Sequence, residues 1–162
     1  MQGAPVTKYK IGGLVENPDL TMFHLTAVED QPGAAGEVLN AFAEKQVNLE
    51  YITETSTTDG LAVMGICVNR AMASRIDAYL AGNAGIRKKL NITRIENVSV
   101  LGIYGPHFRE KPNLAARFCQ ILGNSGVNIL GLSSSISSIC AVIRDDEIAK
   151  ARSALLEVFE LP

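Results

Sequence analysis

Apolar residues recur with helical spacing at two places in the chain, and the two places match. Ala35, Val38, Leu39 and Phe42 follow an i, i+3, i+4, i+7 pattern, which predicts an amphipathic helix with one buried face. A shift of 80 residues lands on Ala115, Phe118, Cys119 and Leu122 with the same spacing. The same shift places Pro32 on Pro112, Val47 on Val127 and Asn48 on Asn128. Each helix is predicted to start beside its proline, whose fixed φ suits a first helical turn. Each ends in a polar stretch, Glu44-Lys45-Gln46 or Gly123-Asn124-Ser125-Gly126, the second a strong stop signal.

Segments rich in β-formers flank the helices. Leu20–Val28 and Val98–Tyr104 come before them, Val47–Thr55 and Val127–Ser133 after them. Asp59-Gly60 is a turn signal that folds Leu61–Val68 back as a hairpin, and Ile139–Ile143 is its counterpart. A second apolar stripe follows in each copy. Met72, Ile76, Tyr79 and Leu80 predict a helix from Ala71 to about Leu80; Ile148, Ala151, Leu155 and Val158 predict one over Asp145–Phe159. Asn91–Glu96 reads as a fourth strand for the first copy. The unit is therefore β-α-β-β-α-β, twice. This is an α+β fold class: two ferredoxin-like units, each an antiparallel sheet with helices on one face. Residues 16–97 form the first unit and 98–162 the second, which ends at its second helix and lacks a fourth strand. The unmatched stretch Pro5–Leu14 is expected to supply it, since an unfilled position leaves backbone groups unpaired. A doubly wound α/β sheet would want strands alternating with helices and a Gly-rich first turn; the hairpin and the absence of G-x-G-x-x-G argue against it.

Composition narrows the function classes. The chain has 162 residues, is 47% hydrophobic and 20% charged, and carries a net charge of −2. That suits a globular chain with a real core and gives no basic field for nucleic acid. The longest apolar runs fall far short of a membrane span, and no apolar leader marks the first fifteen positions. Cys67, Cys119 and Cys140 are scattered in apolar stretches, and His24 and His107 stand alone. No disulfide framework, metal site or cofactor is expected, and a reducing, cytoplasmic compartment is. His24 reads as a partly buried strand residue and His107 as a solvent-facing loop residue. No Walker loop, G-x-S-x-G, H-E-x-x-H or kinase signature occurs. Leu61 and Val63, and also Met64 and Ile66, read as apolar on both sides of one strand; this predicts a face or edge needing cover, hence a homodimer.

The segment Glu29-Asp30-Gln31-Pro32-Gly33-Ala34-Ala35-Gly36 joins a strand to a helix through small residues. Helix N-terminal amides attract a carboxylate, and Asp30 can meet an ammonium group, so the junction suits an amino acid. The plainer reading has Asp30 capping the helix and Gly33 easing the turn. Asp-x-Pro-Gly at such a turn, then an Ala-Phe-Ala helix and Val-Asn-Leu, resembles the ACT domain. The tandem arrangement is similar to the C-terminal regulatory region of aspartokinases. Val6-Thr7, Asn128-Ile129, Ser133-Ser134-Ser135 and Asp145-Asp146 carry the likeness across nearly the whole chain.

The resemblance implies an amino-acid-binding regulatory module, with lysine or threonine held between ACT units and no catalysis by the chain itself. The catalysis would be that of an aspartate kinase domain or subunit, biased by population shift. Carried over, the effector-binding residues are Asp30, Gly33, Ala35, Asn128 and Ile129, with Glu54 where the family commonly has Gln. A carboxylate at 54 favours a cationic ligand. The second turn, Lys111-Pro112-Asn113, departs from Pro-Gly, although Asn tolerates a left-handed backbone better than most residues. Ile136-Ser137-Ser138-Ile139 lacks a charged pair usual in the family, and Leu61-Ala62-Val63 stands where Thr-Thr-Asp is common, so Thr57 and Thr58 read as hairpin-loop residues. Two alternatives remain in view: a stand-alone ACT sensor of another small molecule, and a ligand-silent dimerisation module.

Overall fold

The two repeat helices begin and end at matching positions. In a computed structural model, which describes residues 8–85, 90–106 and 108–162 apart from the side chain of Arg109, helix α1 spans Ala34–Glu44 and its counterpart α3 spans Leu114–Asn124. Both stop through a residue in the left-handed region: Gln46 has φ 53° and Gly126 has φ 70°. Glycine reaches that conformation without a Cβ penalty and glutamine does not. Gln46→Gly is therefore expected to raise stability by about 0.5–1 kcal/mol, read as a higher urea midpoint with an unchanged slope.

The chain divides into two units, an inner one of Asp19–Val98 and an outer one made of the residues through Pro18 together with Ser99–Pro162. Both boundaries fall inside long strands, β2 (Gly13–Glu29) and β5 (Asn91–Tyr104). The separate strands expected at 91–96 and 98–104 are thus one. Asn97 turns through φ 55° without ending the strand, so a polar residue between two apolar runs is a kink and not a break.

In the inner unit the strand order is β3-β4-β2-β5, with β3 Tyr51–Ser56 and β4 Leu61–Asn69. Strand β4 pairs antiparallel with both neighbours, Met22 opposite Cys67 on one side and Tyr51 opposite Cys67 on the other. A bulge between Leu25 and Val28 shifts the register, where Ala27 has φ 61°. Helix α1 and helix α2 (Arg70–Gly82) cover one face. Phe23, Leu25, Ala62, Met64, Ile66 and Val68 meet Phe42 and Ile76 there, and the rings of Phe23 and Phe42 stand edge-on at 6.2 Å. The Asn69 side chain accepts the Ala71 amide and caps α2. The apolar face of β4 is thus Ala62-Met64-Ile66-Val68, with Val63 half-buried on the other side. The Arg70 guanidinium binds both Asp19 and Asn97 Oδ1, the latter at 2.7 Å.

The outer unit has the order β2-β5-β7-β6, with β6 Gly131–Ser134 and β7 Ser138–Arg144. The strands expected from Val47 and Val127 begin four residues late in both copies. Val47 and Val127 instead turn back on their helices, each donating its amide to the i−5 carbonyl at 3.0 and 2.9 Å. A 3₁₀ turn at Asp145–Glu147 precedes helix α4 (Ile148–Val158), so the predicted helix is shorter at its start. The Ser99 hydroxyl, fully buried, donates to Asp145. Phe159 leaves the helix for a two-residue strand β8 (Phe159–Glu160), which runs parallel to β1 (Tyr9–Lys10). The copy thus carries a short extra strand that the sequence pattern does not predict. Ile11 donates to Glu160 O at 3.0 Å and Gly12 to Tyr104 O at 2.7 Å, and Ile11 is buried in this unit's core. Of the expected stretch Pro5–Leu14, residues 5–7 lie outside the described residues, as does His107.

Candidate functional site

Strand β2 ends at Glu29 and the chain turns into α1 through backbone hydrogen bonds. Asp30 N donates to Gly60 O at 3.1 Å, which ties the turn to the β3–β4 hairpin. Ala34 N donates to Gln31 O at 3.1 Å and Glu37 N to Gly33 O at 3.0 Å. Gly33 is the N-cap, with φ 94° and ψ −14°, and no side chain caps the helix. The plainer reading of Asp30 as the cap is therefore corrected: a left-handed glycine redirects the chain and leaves the Asp30 side chain exposed. A Cβ at Gly33 would meet nothing within 4 Å. Glycine is needed there for backbone angle, and the main chain stays open to a ligand.

The turn is acidic. Glu29 and Asp30 precede the helix and Glu37 lies in its first turn. Gln31 Nε2 donates to Glu29 Oε2 at 3.1 Å. Ala35 is half-buried on the first turn, so backbone amides and carboxylates sit together. Glu54 is exposed on β3 of the same unit. It pairs with Met64, a core residue under the helices, so position 54 belongs to the helix-bearing face at the sheet edge. Asn128 and Ile129 lie in the outer unit, between α3 and β6. Asn128 is exposed, and Ile129 packs against that unit's core.

The second turn differs in backbone. Asn113 has φ −87° and ψ −8°, right-handed and not left-handed. Its tolerance of the left-handed region is thus not used. Lys111, Pro112, Ala115, Ser134 and Ser135 line a small cleft of about 160 Å³ beside it. Ser134 occupies the repeat position of Glu54.

A larger cavity, about 250 Å³, lies within the inner unit. Leu25, Val28, Ala41, Phe42 and Leu80 form its buried wall, with Ala34, Val38 and Leu90 around them and Glu29, Gln31 and Glu37 also lining it. The sequence pattern does not single out Glu29 and Glu37; their only signal is the density of acid around the first helical turn.

The remaining reactive side chains do not gather. Burial pushes the Cys67 thiol up to about 12 and the Cys140 thiol upward, so both stay protonated. His24 is half-buried on β2 opposite Gly65. Among the described residues no three His, Cys, Asp or Glu side chains are placed to hold a metal ion, and no helix is long and apolar enough to cross a membrane. Thr57 and Thr58 lie in the β3–β4 loop, where the Thr57 hydroxyl bonded to Asp59 holds that carboxyl below its usual range.

Two family models, each described as ACT domain, match residues 25–78 and 101–159. The aspartokinase of Mycolicibacterium smegmatis is 25% identical over 166 residues, covering 99% of this chain and 39% of its own length. That of Mycobacterium tuberculosis H37Rv is 32% identical over 143 residues, covering 85% of this chain and 33% of its own. The chain thus spans well under half of the curated relatives it matches. The ligand-free regulatory subunit of aspartate kinase from Thermus thermophilus shares the fold, with a TM-score of 0.81 and 21% identity, covering 93% of this chain and 99% of that one. With one ACT match in each unit and relatives that align along nearly its whole length, the chain belongs to the ACT domain family, as a tandem pair homologous to part of aspartokinase.

Proposed function

We propose that this ACT pair binds a free amino acid, lysine or threonine, as a feedback effector of lysine biosynthesis, and that it biases an aspartate kinase catalytic domain or subunit in the cytoplasm. The observation that carries the reading is the left-handed, uncapped glycine turn at Gly33, where open main chain and the exposed carboxylate of Asp30 meet at one helix start. An amino acid has both charges that such a junction complements. The proposed contacts are Asp30, Gly33, Ala35 and Glu54 from the inner type of unit, and Asn128 and Ile129 from the outer type. Glu54 adds negative charge and favours lysine over threonine. The outer unit's own turn, right-handed at Asn113 and with Ser134 in place of Glu54, is proposed to be silent toward lysine.

The effector would act by population shift, stabilising one arrangement of a homodimer over another. Exposure at repeat-equivalent sheet edges supports the dimer: Ile52 on β3 is 41% exposed and Leu132 on β6 is 44% exposed. A thermal-shift screen against the twenty amino acids tests the reading. An effector at 100 times its Kd adds about 2.7 kcal/mol, or roughly 5–10 °C for a chain of this size. Lysine or threonine is expected to give that shift, and Asp30→Ala to abolish it. A flat response to all twenty would overturn the effector reading, and a monomer in sedimentation would overturn the dimer.

A further inference from the structure

The two units fill the same position under their first helix differently. In the outer unit Phe108, Leu114 and Phe118 are 6%, 2% and 0% exposed and belong to its core. The repeat-equivalent residues on α1 are Ala34 and Val38, and the same shift sets Phe108, in a 3₁₀ turn over Phe108–Glu110, against Val28 on β2. Val28, Ala34 and Val38 all line the cavity of about 250 Å³. The space that large side chains occupy in one copy is thus vacated in the other by smaller ones. Interiors are close-packed, and a pocket open on one side leaves its buried wall without the contacts that larger side chains would give.

Glu29 and Glu37 line the cavity, and Gln31, which also lines it, donates its side-chain amide to Glu29 Oε2. Among the described residues, Glu29, Gln31 and Glu37 are the polar lining and the rest is apolar. We propose that this cavity binds a small primary ammonium compound with an apolar body, the body between α1 and the sheet and the ammonium at Glu29 and Glu37. The reading is independent of the amino-acid turn, because the body enters the unit's interior and the Asp30 side chain does not line the cavity.

n-Hexylamine, n-hexanoate and 1-hexanol titrated into the whole chain, followed by calorimetry and amide NMR shifts, test it. Hexylamine is expected to bind saturably, and each methylene removed down to butylamine to weaken it about four-fold. Hexanoate is expected to bind at least about ten-fold more weakly, and Glu29→Gln with Glu37→Gln to erase that preference. Ala34→Leu with Val38→Phe, the residues the other repeat uses, is expected to raise the melting temperature and to weaken hexylamine at least about ten-fold. Asp30→Ala is expected to keep hexylamine binding while losing any amino-acid response, which separates this proposal from the effector reading. Equal binding of hexanoate, undiminished binding by the filled variant, absence of a chain-length trend, or no saturation at millimolar hexylamine would each overturn it.

Discussion

Phe118→Ala is expected to lower the unfolding free energy by about 3–5 kcal/mol. Phe118 is fully buried on α3, among Leu101, Ile103, Leu122 and Leu155. Removing its ring deletes a large apolar surface and leaves a hole that neighbours already in van der Waals contact cannot close. A domain of this size holds about 5–15 kcal/mol in total, so the variant sits near the edge of folding. Its urea midpoint is expected to fall with the slope preserved. The repeat-equivalent change, Val38→Ala, removes two methyls from a half-buried residue beside an existing cavity. It is expected to cost about 1 kcal/mol or less. Equal losses at 118 and 38 would contradict the difference in packing between the two units.

Gly102→Val is the second large effect expected. Gly102 lies on β5, and a Cβ built there would come within 2.6 Å of both Ile139 O and the Cys140 sulfur, and 3.1 Å from Cys140 Cα. The cysteine side chain has room to rotate away, but the carbonyl is ladder backbone. The strands β5 and β7 must therefore separate at that register, and Ser138–Arg144 is the strand that holds the outer hairpin. A loss of about 3 kcal/mol, at the upper end for overpacking, is expected, with faster amide exchange along 138–144 as the local readout. Gly123→Ala provides the opposite sign. That glycine lies in the last turn of α3 with open space around its Cβ position, and alanine there is expected to stabilise by about 0.5 kcal/mol.

The helices were legible because their signal is local. The stripe Ala35-Val38-Leu39-Phe42 and its copy locate α1 and α3, and matching stop residues close both. Strand limits were less legible because a strand ends where pairing ends, and pairing is decided by a distant partner. Val47 and Val127 look like strand residues, yet each is spent on closing a helix. Asn97 looks like a break, yet the strand continues through it with a left-handed kink. The turn at Gly33 could be read from Pro-Gly, but its lack of a side-chain cap could not, since Asp30 is as good a capping residue as any. The cavity was half-visible. Setting Val28, Ala34 and Val38 against Phe108, Leu114 and Phe118 shows the loss of bulk, but only the fold shows that the three smaller residues face one space together with Glu29 and Glu37.

The interleaving of the two units also sets an order in time. Residues 19–98 are contiguous, so the inner unit has every strand it needs once that stretch has left the ribosome. The outer unit holds its first strand in waiting while the rest is made. Lys8 Nζ reaches Leu156 O, 148 residues away, and Arg152 reaches Glu16 across 136. Those contacts close very long loops, and closure of long loops is the slow part of folding. The segment Tyr9–Lys10 therefore gains its strand partner only after Phe159–Glu160 has been made, so the outer unit closes after the inner one.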